Sequence, residues 1–150
     1  MYSKQEASIL NQQFWTTFGQ YLAPILSAEG EKINWINYKT GVKDIRFIMQ
    51  ADSNQAKIAI VFLHNDAAVQ QLYFEKLAAF KNALHQITGA PWQWQLHTAD
   101  AYGKIISEVA ISLQQINVLD KADWPGIISF FKPLIIALDR FWGEYKIALQ

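Results

Sequence analysis

Two histidines and two aspartates come nearest to a chemistry in this sequence: His64, Asp66, His97 and Asp100. His64 follows the apolar run AKIAIVFL and His97 follows WQWQL, so each closes a segment that reads as a strand. If those strands and the helix between them form a right-handed parallel crossover, their ends share one sheet edge, where open α/β sheets hold ligands. Two imidazoles and two carboxylates there would bind a metal ion or move a proton. The plainer alternative makes Asp66 the cap of the following helix and leaves both histidines as solvated strand ends. His85, on that helix, reads as a surface residue.

A second constellation is aromatic. Trp35, Tyr38, Trp92 and Trp94 lie on strand-like segments, the last two alternating with glutamines, and a patch of such rings would stack bases or line a ligand groove. The same residues serve equally as a sheet face packed under helices. Lys32, Lys39, Lys43, Arg46 and Lys57 gather in the same third of the chain, but Glu29, Glu31, Asp44 and Asp52 largely cancel them.

Composition narrows the classes. The 13 basic residues balance 13 acidic ones, so the basic excess of a dedicated nucleic-acid binder is absent overall. With no cysteine, a disulfide framework, a thiol nucleophile and a Cys-type zinc site are all excluded. Charged residues make up 17%, below the usual ~25%, while aromatic residues reach 14%; together these predict a large aromatic core or a core plus an apolar interface. No Gly-rich phosphate loop, Gly-flanked nucleophilic serine or metalloprotease helix motif occurs. The N-terminal residues lack the apolar core of a signal peptide, and a cytoplasmic protein without membrane attachment is expected.

These side chains must be placed by a single domain spanning residues 1–150. Residues 123–149, DWPGIISFFKPLIIALDRFWGEYKIAL, carry the longest helical apolar stripe and are expected to be the central helix. Asp123 is placed to cap it, Pro125 fits its first turn, and Pro133 should kink or break it near residues 129–132. Asp139, Arg140, Glu144 and Lys146 read as its outward face. Residues 3–28 form a matching helix that also carries an internal proline and a Phe-Trp pair, and the two should pack together. Strands are expected at 32–39, around Ile45–Met49, at 56–63, around Trp92–Leu96 and at 104–113, with a helix from Asn65-Asp66 to Thr88. The fold class is α+β, order α-β-β-β-α-β-β-α, with a mixed sheet of about five strands that includes an antiparallel meander, packed by long N- and C-terminal helices.

The opening α-β-β-β-α-β order is similar to the core of PD-(D/E)XK nucleases, which hold a divalent ion with an Asp and a Glu-X-Lys on neighbouring strands. The nearest match is Asp44 with Gln55 and Lys57. Gln55 lacks the charge a hard cation needs, and a tight hairpin sets Asp44 near Phe62 instead of Lys57, so any such core is degenerate. More broadly, the helix QQFWTTFGQYL, the strand IAIVFL, the core FEKLAAFKNAL, the WQW strand and DWPGIISFFKPLIIALDRFW resemble, in that order, short stand-alone members of the bacterial family catalogued as domain of unknown function 4268. That resemblance covers nearly the whole chain and implies a fold without implying an activity. The reading that follows is a non-catalytic binding or protein-interaction module that needs no cofactor. Its partner would be a second copy in a homodimer, or another protein. The alternatives are a nucleic-acid-associated protein with a degenerate nuclease-like core, and a small-ligand or metal site at the His64/His97 edge.

Overall fold

The computed structural model describes residues 2–150. The first helix, α1 (Lys4–Leu22), opens on a capping box in which Ser3 Oγ accepts from the Glu6 amide and the Glu6 carboxylate accepts from the Ser3 amide. It ends at Leu22, six residues before the expected stop. Ala23 still has helical dihedrals and donates to the Gly19 carbonyl, but Pro24 has no N–H to continue the ladder, so the helix stops there instead of kinking.

Residues 23–44 are irregular, so the strand expected at 32–39 does not form. Asn34 accounts for this: its side-chain oxygen accepts from the amides of Ile36 and Asn37, both at 3.1 Å, and folds the backbone into a local turn before it can join a ladder. The large residues here are anchored one at a time. Trp35 donates to the Ile25 carbonyl, and Thr40 accepts from the buried indole of Trp142 at 2.7 Å.

The sheet therefore has four strands: β1 (Ile45–Ala51), β2 (Gln55–Phe62), β3 (Gln93–Ala99) and β4 (Ile105–Gln114). Their order is β1-β2-β4-β3 and every neighbouring pair is antiparallel, which replaces the expected mixed sheet of about five strands. The order α-β-β-β-α-β-β-α becomes α-β-β-α-α-β-β-α, and the element order that resembled a nuclease core is lost with the missing strand. Since β2 and β3 are both antiparallel to β4, they run parallel to each other with β4 between them. The β1–β2 turn closes as expected, Asp52 accepting from the amides of Asn54 and Gln55.

Between β2 and β3 the chain forms two helices instead of one, α2 (Ala67–Ala78) and α3 (Lys81–Thr88). Phe80 breaks the run: it leaves helical geometry and sets its ring against Tyr145, 4.9 Å away. The last helix, α4 (Trp124–Tyr145), follows a 3-10 turn at Lys121–Asp123 and runs unbroken through Pro133. Asp123 makes no side-chain cap; its carboxylate accepts from the Asn117 amide and holds the preceding loop.

All four helices contribute to one core on one face of the sheet. At its centre α4 buries Ile127, Phe131, Ile135, Leu138, Phe141 and Trp142. The packing expected between the two long helices is present: Phe131 lies 5.8 Å from Phe18 and 5.6 Å from Trp15. Each buried ring of this kind contributes roughly 1.5–3 kcal/mol. Among the described residues no helix is long and apolar enough to cross a membrane.

Candidate functional site

Among the described residues no helix covers the other face of the sheet. Because side chains alternate along a strand, register fixes what that face presents. Read from β1 towards β3, Arg46, Val61, Glu108 and Gln95 form one row; Ile48, Ala59, Ala110 and Gln93 the next; and Gln50, Lys57 and Ser112 a third. Lys57 and Glu108 lie on either side of the alanine row and reach across it, Lys57 Nζ meeting Glu108 Oε1 at 3.0 Å and Oε2 at 2.9 Å. It is the only ion pair among the described residues. Lying over two small residues, it helps explain how Ala59 is 0% exposed and Glu108 only 8% exposed on a face without a helix. Val61 and Ile106 complete a small apolar cluster there, separate from the main core. The result is a basin of about 390 Å³ with Val61 and Ile106 among its lining residues, Arg46 and the Lys57–Glu108 pair at its sides, and Tyr102 on the β3–β4 turn as a wall. That size falls within the range of small-molecule sites.

The residues singled out from the sequence are placed elsewhere or engaged otherwise. Because β2 and β3 run parallel, the segments carrying His64 and His97 do finish on one edge. Asp66 caps α2, accepting from the amides of Ala68 and Val69. His97 sits in the irregular stretch of the β3–β4 register with φ 51°, and its Nε2 stands 3.0 Å from the Ala67 carbonyl, which fixes Nε2 as the protonated nitrogen. Asp100 accepts from the amides of Tyr102 and Lys104 and so shapes its own turn. Among the described residues no three His, Asp or Glu side chains stand together as a metal's ligands would.

His64 is inside the protein, 7% exposed, with its ring stacked on Tyr73 at 4.7 Å and neither ring nitrogen hydrogen-bonded. Burial lowers its pKa below the ordinary 6.5, with the Asp44 carboxylate pulling the other way. On acidification the unfolded chain takes up this proton before the folded one, so stability holds above about pH 6.5 and declines below it. The thermal midpoint is expected to fall between pH 7 and pH 5, and His64→Phe to remove that part of the fall; an identical pH profile in the variant would exclude His64 as its source.

Asp44 lies where the hairpin argument set it, its carbonyl accepting from the Leu63 amide beyond Phe62 and away from Lys57. Gln55 accepts from Gln114 across β2–β4. By strand alternation Gln55 and Lys57 both lie on the open face, and Asp44 stands just before β1, apart from them. The aromatic patch is divided, because Trp35 and Tyr38 pack near β1 and Trp92 and Trp94 near β3, at opposite edges of the sheet. Trp35 and Trp92 are buried in the helical core.

Two polar arrangements escaped the sequence reading. Buried Gln70 donates to the carbonyls of His64 and Ile105 and accepts from Ser107, whose oxygen also accepts from the His97 amide, so α2 is tied to the ends of three strands. Nothing in AAVQQLYF distinguishes Gln70 from a surface glutamine. Asp139, expected outward, is 5% exposed; its Oδ2 accepts from the Ala28 amide at 2.7 Å and its Oδ1 from the Tyr38 hydroxyl at 2.5 Å. Here a signal existed, since Asp139 stands four residues after Ile135 and three before Trp142, on the buried stripe. Burial, and then the bond to Asp139, push the Tyr38 phenol well above its usual pKa, so it stays a donor. Beside this pair a second hollow of about 390 Å³ lies between α4 and residues 27–39.

No curated protein and no solved structure matches the chain. The family described as "Domain of unknown function (DUF4268)" matches residues 10–146. With nearly the whole chain covered, the protein belongs to that family.

Proposed function

We propose that the chain is a non-catalytic binding module whose working surface is the open face of the sheet. The observation that carries this reading is one-sided packing: among the described residues every helix lies on one face, while the other keeps an apolar floor in a basin bordered by charged side chains. Such a concavity, with a few fixed polar groups around apolar residues, is the usual form of a binding site. The carboxylates support the non-catalytic part. Asp66 is engaged by α2, Asp100 by its turn, Asp139 by Tyr38 and Ala28, and Glu108 by Lys57. A general base must be able to reach a substrate proton, and these four already serve the fold.

The test is a photo-crosslinking amino acid installed at Gln50 or Gln95, exposed on the open face, and at Leu72, exposed on α2, in the organism of origin. Intact mass after irradiation is expected to show adducts, small or large, from the two sheet positions and none from Leu72. Adducts from Leu72 alone would overturn the reading.

A further inference from the structure

Resting on the binding-module reading, we infer that the open-face basin takes a small amphiphile, an apolar body carrying a single negative charge, with the body against Ile48 and Leu63 over the Val61–Ile106 floor and the charge at Arg46. Charge complementarity argues for the anion. Both Glu108 oxygens lie within 3.0 Å of Lys57 Nζ, so that carboxylate is neutralised where it stands. Asp100 accepts two backbone N–H groups at 2.9 Å. Arg46 lines the same basin, and its guanidinium has no ion-pair or side-chain hydrogen-bond partner among the described residues. Asp100 keeps its charge but makes no ion pair with Arg46, so the guanidinium retains donors arranged to receive a carboxylate, sulfonate or phosphate oxygen.

Shape argues for the apolar body. Val61 and Ile106, 3% and 7% exposed, form a closed floor, and half-buried Ile48 and Leu63 packed against it give the basin apolar surface that a ligand can touch. Tyr102, 96% exposed on its turn, adds a ring free to close over a bound molecule. Size argues against a second copy of the chain as the occupant. Four strands about 4.8 Å apart and roughly seven residues long at ~3.3 Å each span only about 440 Å², whereas a stable pair of proteins buries about 800 Å² on each partner.

The probe is 1-anilinonaphthalene-8-sulfonate, an aromatic monoanion, with N-phenyl-1-naphthylamine as its uncharged counterpart. Fluorescence titrations use the folded full chain, with Arg46→Gln and Tyr102→Ala as variants; both side chains are exposed, and circular dichroism checks that each variant folds. The expected result is one sulfonate probe per chain. Arg46→Gln should weaken it by roughly tenfold, the loss of a charge-assisted hydrogen bond, and leave the uncharged probe unchanged. Tyr102→Ala should weaken both probes. If Tyr102→Ala weakens both probes and Arg46→Gln affects neither, the basin binds without selecting charge; the amphiphile proposal then fails while the binding-module reading stands. If neither variant affects either probe, the proposal fails together with the open face as binding surface.

Discussion

Trp142→Ala is expected to lower stability by about 4 kcal/mol, within the range for removing a fully buried Trp. Its ring is buried at the centre of the fold, meeting Phe47 edge-on at 5.1 Å, and its indole N–H satisfies the Thr40 carbonyl at 2.7 Å. Truncation opens a cavity between α4 and β1 and leaves that carbonyl without its indole donor, which adds a desolvation term of about 1–3 kcal/mol if water does not enter. Native domains have only about 5–15 kcal/mol in total, so the variant should sit close to the folding threshold. Urea unfolding with an unchanged slope and a lowered midpoint is the measurement. Trp142→Phe keeps most of the packing and should lose mainly the hydrogen bond, about 1 kcal/mol. A loss below that figure in Trp142→Ala would mean that α4 does not hold residues 23–44 as described.

Asp139→Ala should cost about 3 kcal/mol, mostly by leaving two donors, the Tyr38 hydroxyl and the Ala28 amide, without their shared acceptor. Tyr38→Phe removes only one bond, yet it leaves half of a buried carboxylate unanswered and should cost about 2 kcal/mol. Because both substitutions break the same contact, the double variant should be less destabilised than the sum by at least about 1 kcal/mol. Hydrogen exchange gives a local readout. The Ala28 amide should lose protection in Asp139→Ala and keep most of it in Tyr38→Phe, since the two bonds use different oxygens. Additive losses in the double variant would exclude the Tyr38–Asp139 contact.

These two residues also mark where the sequence was legible. Trp142 lies on the long apolar stripe that predicts a central helix, and Phe131, Leu138 and Phe141 on that stripe are indeed inward. The hairpin at Asp52-Ser53-Asn54 and the apolar strand after it were readable for the same reason: their signals are local. Asp139 was misread because its polarity outweighed its position, although its spacing put it on the buried stripe. Residues 32–39 were misread in the opposite sense, since alternating Trp, Ile and Tyr look like a strand while one Asn34 side chain turns the backbone. The nearly all-apolar run after Lys57 reads as a central strand covered on both faces. Its outer side is instead covered partly by the Lys57–Glu108 pair, which joins residues 51 positions apart and has no local signature. The candidate basin was the least legible part, because Arg46, Val61, Ile106 and Tyr102 come from three strands and a turn and become neighbours only through strand order.

That strand order has a consequence for the order of synthesis. The ribosome delivers β1, β2 and β3 first, but the strand that joins β2 to β3 is β4, the last of the four. Until residues 105–114 emerge, the nascent chain holds a hairpin with the open edge of an almost wholly buried, apolar strand, and a separate β3 with nothing to pair with. An uncovered edge of that composition is a template for pairing with other chains. The core helix α4 arrives later still, so little of the sheet's covered face is closed before the final third of translation. A chain truncated near residue 104 should therefore aggregate instead of surviving as a soluble half-domain.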